Sequence, residues 1–249
     1  MSRFIQGKIL NFDEARKRIA DVKKIGDAVL IDEINDDDFL YVEAVALRVG
    51  IPNANGDLFV RDELLRIAED TGEPVYKSFI GCGVFVNHES DKVEKNIGKI
   101  FDAEYVDATS PNTIRLILGV DKKKAPDIVR GLQTGRLHSW SMGCSISYSI
   151  CTHCGARINS EHDLCQCLKY HRGEMLDGVQ VAEELHGVRF AELSCVNLPA
   201  DIGSQLIQIL ATSDNGRMRK VAFTNDVQVL NAIYKKVYDS SVQDKMKIL

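Results

Sequence analysis

Two groups of residues in this chain have types and spacings that could carry chemistry. The first is Cys151-Thr-His-Cys154-Gly155 followed by Cys165-Gln-Cys167, with His153, His162 and His171 nearby. Two thiols two residues apart in a turn can bend toward one ion, and a glycine after the second supplies the left-handed backbone such a knuckle needs. The pair Cys165 and Cys167 is narrower, so a Cys3His set that uses His171 competes with the four-cysteine set. Paired thiolates of this kind point to tetrahedral zinc, and a closed four-ligand site leaves no position for water, so the zinc would be structural. The second group is spread over three segments: Val84-Phe85-Val86-Asn87-His88, Ser139-Trp140-Ser141-Met142-Gly143, and Phe190-Ala191-Glu192-Leu193-Ser194. A histidine at a strand end, a serine followed by a glycine beside backbone amides, and a carboxylate alternating with apolar residues are the parts of nucleophilic acyl transfer. Taken singly, each reads as readily as an ordinary surface or core residue.

The elements around these residues alternate between strand and helix patterns. Phe12 to Lys24 is a charged helix with Phe12, Ala15, Ile19 and Val22 at helical spacing. Ala28 to Ile31 and Phe39 to Val49 form a β-hairpin about the acidic turn Asn35 to Asp38, and Leu58 to Ala68 reads as a helix ended by Gly72 and Pro74. Strands are expected over Val84 to Val86, Ile97 to Val106, Thr113 to Val120, Leu137 to Tyr148 and Val188 to Val196, with a helix over Pro126 to Leu132. After Pro199 the chain is expected to be mostly helical, including Val227 to Val237. The fold class is therefore α+β. A core of residues 1–150 and 173–212 is interrupted by a Cys-rich insertion at 151–172 and followed by a helical tail, 213–249.

Composition narrows the function classes. The chain has 249 residues, 45% apolar and 27% charged, as globular proteins do. A formal charge of −5 gives no drive toward a polyanion, so nucleic acid is disfavoured as the main partner. No window approaches the roughly 18 apolar residues that span a bilayer, and Met1 to Leu10 lacks the features of a secretory signal. Seven cysteines, an odd number with four of them between residues 151 and 167, suit metal binding in a reducing cytoplasm better than a disulfide framework.

In order and in residues, the chain resembles the prohead (capsid maturation) proteases of tailed phages, relatives of the herpesvirus assemblin-type serine proteases. The matching features are Asn87-His88 with Ile97-Gly98, a helix ending in a Gly turn from Arg130-Gly131 to Gly135, Ser141-Met142-Gly143, and the segment Glu192 to Pro199-Ala200. They cover roughly Asn53 to Ser204. The resemblance implies a mainly antiparallel, barrel-like core flanked by helices, with Ser141 as nucleophile and His88 as general base. Glu192 is the candidate orienter of His88; assemblins use a second histidine there, so His138 and His186 compete. The implied substrates are scaffold and core proteins, the major capsid protein and the protease itself, cut inside the prohead in the host cytoplasm, with self-association there. The Cys-rich stretch is outside the family's catalytic core. A non-catalytic zinc-containing prohead core or binding protein is the alternative.

Overall fold

The computed structural model describes residues 38–211. The helix at Phe12 to Lys24, the first arm of the hairpin, and the tail with Val227 to Val237 lie outside the described residues. Within them the protein is α+β and mostly strand, built on a curled half-barrel sheet. No described helix is long and apolar enough to cross a membrane.

The main sheet begins with β1 (Phe39–Arg48), whose ten residues are mostly buried on both faces. It continues with β3 (Gly83–Val86), β4 (Gly98–Val106), β5 (Thr113–Asp121), β6 (Ser139–Ser145), β12 (Arg189–Val196) and β13 (Leu206–Ala211), in the spatial order β13-β1-β5-β4-β3-β12-β6. The neighbours pair antiparallel, apart from β3 and β12, which run parallel. Register shifts interrupt β1 at Val45/Leu47, β4 at Ile100/Asp102 and β12 at Phe190/Glu192. Each such bulge bends its strand and increases the twist, which is how a seven-stranded sheet curls. The segment before β13 ties the two ends together: Trp140 N donates to Ser204 O at 2.9 Å and Val45 N donates to Gln205 O at 2.9 Å.

One face of the sheet holds Leu40, Val42, Ala44, Ile100, Leu116, Leu118, Trp140 and Leu193, all fully buried in one core cluster. Over it pack α1 (Arg61–Leu65), a 3-10 turn over Val75–Phe79, and α2 (Pro126–Gln133). Phe79 stacks on Phe190 with ring centroids 3.8 Å apart. Pro126 opens α2, where a missing N–H costs nothing, and Val129, Gly131 and Leu132 are its buried residues.

Two expectations are corrected. The helix expected over Leu58 to Ala68 shrinks to Arg61–Leu65. It is preceded by the short strand β2 (Asp57–Leu58), and the chain turns extended at Arg66, whose carbonyl accepts from Val75 N at 2.9 Å. The stretch after Pro199 is not helical as far as it is described. Leu206 to Ala211 is a strand because β1 offers it an unpaired edge, and its short apolar run is compatible with either period.

The Cys-rich region forms a second small unit. β7 (Tyr148–Cys151), β8 (Arg157–Ile158), β11 (Glu183–His186) and β2 make a four-stranded sheet, ordered β2-β11-β7-β8. Between β8 and β11 lie α3 (Gln166–Tyr170) and a hairpin of β9 (Met175–Leu176) with β10 (Val179–Gln180). Its own core is only Cys151, Ile158, Leu168 and Val181, so the packing extends past the expected boundary at 172.

Candidate active site and metal centre

Strand β12 carries the acidic residue, and its bulge decides which way that residue faces. Phe190, Leu193 and Cys195 all belong to the core cluster, which strict alternation would forbid. The extra residue at Ala191 reverses the alternation, so Glu192 and Ser194 share the opposite face. On β6, Gly143 pairs with Glu192 and Ser141 with Ser194, which puts Ser141 and Gly143 on that same face. On the other side, β3 runs parallel, with Gly83 opposite Glu192 and Phe85 opposite Ser194.

His88 follows β3 by two residues. Asn87 N donates to Cys195 O at 3.1 Å, after which Asn87 and His88 both take left-handed backbone, with φ of 52° and 61°. Such conformations cost on the order of 1–2 kcal/mol each for residues other than glycine, so the surrounding structure must hold them. Here the turn brings the imidazole back over β12. His88 Nδ1 donates to Glu192 Oε1 at 2.7 Å, while Ser194 Oγ donates to Glu192 Oε2 at 2.7 Å and accepts from His88 N at 3.0 Å. Both carboxylate oxygens are thus satisfied although the Glu192 side chain is only 5% exposed; that of His88 is 47% exposed.

His88, Ser141, Gly143 and Cys144 line one cavity of about 310 Å³. Arg48 and Asp201 form part of its lining, joined by an ion pair at 2.6 Å. The Ser141 hydroxyl makes no hydrogen bond to His88. Ser139 lies outside the cavity and donates to Gln205 Oε1 at 3.3 Å. The one thiol at the cavity is a poor nucleophile, because burial pushes Cys144 up to about 12. Burial likewise raises Cys195, to about 11, and Cys82.

His88 and Ser141 therefore line one cavity and the buried Glu192 is hydrogen-bonded to His88, whereas the competing histidines do not meet His88. His138 precedes β6 and its carbonyl accepts from Leu206 N. His186 stacks on Tyr148, with its Nε2 3.1 Å from Glu184. Sequence reasoning missed Ser194 and the Arg48–Asp201 pair. The signal for Ser194 was present, since a residue two positions after Glu192 on a strand shares its face. The ion pair joins residues 153 positions apart and has no local signal.

In the second unit, the sulfurs of Cys151, Cys154, Cys165 and Cys167 lie within 4.8 Å of one another and could hold a metal ion. Cys151 ends β7, and Gly155 after Cys154 is left-handed at φ 73°, as the knuckle requires. Cys165 precedes α3 and Cys167 lies in its first turn, so a helix start lets the narrow pair converge. Four sulfurs at about 2.3 Å from a shared ion stand roughly 3.8 Å apart in a tetrahedron, a separation compatible with that grouping. The Ala156 N–H is the main cause of a Cys154 thiol lowered to about 7, whereas burial raises Cys151 to about 11. His171 is not in the group; its Nδ1 pairs with Glu174 at 2.8 Å. His153 spans Cys167 Sγ at 3.4 Å and Asp177 Oδ2 at 3.0 Å, an outer hydrogen-bonded pair that would help orient the Cys167 thiolate toward an ion.

The Cys-rich unit abuts one wall of the cavity. Asn53, Asn55 and Asp57 line the cavity. Glu183 N donates to Gly56 O at 2.8 Å, β2 pairs with β11, and Arg172 reaches both Asn55 O and Glu183. No family model matches the chain, and no curated protein or solved structure is significantly similar to it.

Proposed function

We propose that the chain is a serine endopeptidase that cleaves scaffold, core and capsid proteins, and itself, during maturation of a tailed-phage prohead in the host cytoplasm. The observation that carries the reading is the imidazole of His88, held through Nδ1 by a buried carboxylate, at a cavity that the Ser141 hydroxyl also lines. With Nδ1–H committed to Glu192, Nε2 is the free base. Ser141 Oγ attacks the scissile carbonyl as Nε2 takes its proton, and the imidazolium, stabilised by Glu192, returns that proton to the leaving amine. Water, activated by the same Nε2, then releases the acyl group. General-base help is worth roughly 10² to 10⁴ in rate. The backbone amides at Met142 and Gly143 are assigned to the developing oxyanion, worth about 10² to 10³ more.

The four cysteines hold zinc in this reading. A four-sulfur shell does no chemistry, but it supplies on the order of 10 kcal/mol to a unit whose own core is four residues. A sheet that curls toward closure also suits the assemblin-like barrel that the resemblance implies.

A second reading, a non-catalytic zinc-containing prohead core or binding protein, draws on one observation, the absence of a hydrogen bond between Ser141 and His88. Catalytic hydrogen bonds often tighten only when substrate binds, which leaves the first reading preferred. Incubating the chain with its scaffold and capsid proteins and weighing the products by mass spectrometry separates the two. Ser141→Ala is expected to lower cleavage by at least about 10³-fold, whereas Ser139→Ala, altered outside the cavity, stays near the unaltered rate. Cleavage that survives Ser141→Ala, or substrates intact with the unaltered chain under assembly conditions, overturns the assignment.

A further inference from the structure

Ser194 is fully buried, and both its hydrogen-bonding roles are spent on the other members of the site. Its hydroxyl proton goes to Glu192 Oε2 at 2.7 Å, and one of its lone pairs takes the His88 backbone N–H at 3.0 Å. The residue therefore touches the carboxylate and the backbone of the histidine that the carboxylate orients. The backbone it touches is the strained one, the second of two successive left-handed residues. It lies directly opposite Ser141 on the neighbouring strand, yet with no exposed surface it cannot meet a substrate.

We propose that Ser194 is a positioning residue of the active site, a clamp that holds the left-handed His88 backbone and the Glu192 carboxylate in one geometry so that the imidazole faces the cavity. The proposal deepens the proteolytic reading and rests on it for its catalytic meaning. Without the clamp, Glu192 keeps one partner in place of two and rotates about its χ angles, and the His88 turn loses the acceptor that fixes its amide. The imidazole then samples orientations that do not point Nε2 at Ser141, which lowers turnover more than substrate binding.

The test uses the full chain carrying Ser141→Ala, which prevents self-cleavage, with and without Ser194→Ala, followed by NMR. In the double variant the His88 amide is expected to exchange at least about 10-fold faster. The amides of Leu193 and Cys195 should keep their protection. In the Ser141 background, Ser194→Ala is expected to lower kcat about 10- to 100-fold with KM changed less than about threefold. An unchanged His88 amide, an unchanged kcat, or a KM that changes as much as kcat overturns the proposal. If Leu193 and Cys195 lose protection, the variant has not folded. The deciding measurement is then the Ser141→Ala chain alone, where a His88 amide exchanging at the rate of an open loop is equally fatal. The NMR readouts need no substrate, so cleavage surviving Ser141→Ala would end the proteolytic reading without touching the result for Ser194.

Discussion

Gly143 faces Glu192 across the β6–β12 ladder, and the carboxylate occupies the space a side chain would take. A methyl group built at Gly143 would stand 2.6 Å from Glu192 Oε1, the oxygen that holds His88. Backbone conformation is not the obstacle, since Gly143 has ordinary strand geometry; the volume is. Gly143→Ala is therefore expected to displace the carboxylate and lower cleavage by roughly 10²-fold or more while the thermal midpoint changes by only a few degrees. Equal cleavage rates for the two chains would show that Glu192 does not need this place. At this scale Ser141, His88, Glu192 and the four cysteines were legible because their types are those of acyl transfer and thiolate coordination. Gly143 was read as a source of backbone amide beside the nucleophile, whereas its missing side chain also makes room for a residue 49 positions away that only strand register brings opposite.

Elements hold the site through contacts that sequence spacing does not reveal. Glu63 on α1 is 6% exposed and accepts from Val188 N at 2.9 Å, just before β12 begins, while Arg66 grips both of its oxygens. Burial alone would raise its carboxyl, but the Arg66 guanidinium and the Val188 N–H outweigh burial and hold it below its ordinary value of 4.5. A carboxyl depressed in the folded state adds stability above its unfolded pKa and loses it as pH falls through the folded value. Glu63→Ala, which leaves the buried Val188 N–H unpaired, is expected to cost about 1–3 kcal/mol at pH 7. The gap between the two chains should narrow as pH drops below about 4.5. Denaturant unfolding at both pH values checks the sign; a gap that widens in acid contradicts it. The strands from Val84 to Val120 and the helix at Pro126 were readable from period and punctuation. The helix expected over Leu58 to Ala68 and, as far as Ala211, the helical stretch expected after Pro199 failed because short apolar runs take the structure their neighbours offer. Arg66 is pulled into an extended connection, and Leu206 to Ala211 completes the edge of β1.

Across the whole molecule, the Cys-rich unit and the main sheet meet at the wall formed by Asn53 to Asp57, so the state of one bears on the other. If the four cysteines hold zinc, as proposed, a chelator is expected to release about one ion per chain and free four thiols. The main sheet should keep its own unfolding transition, and cleavage should fall at least about 10-fold as the wall loosens. Metal-free protein that cuts at the full rate would separate the two centres. By itself the amino-acid sequence determined the α+β class, the strand and turn punctuation, the acidic balance, and which residue types stand ready for each chemistry. Those properties are local, being set by spacings of two to four residues or by sums over the chain. Only the tertiary structure decided that Glu192, and neither His138 nor His186, meets His88, that Ser194 stands between them, and that Cys165 and Cys167 converge where His171 turns away. Such choices depend on the parallel register of β3 and β12, the bulge at Ala191 and the start of α3. Each arises where the packing of the whole sheet outweighs any local preference, because one residue of slip would turn every side chain to the opposite face.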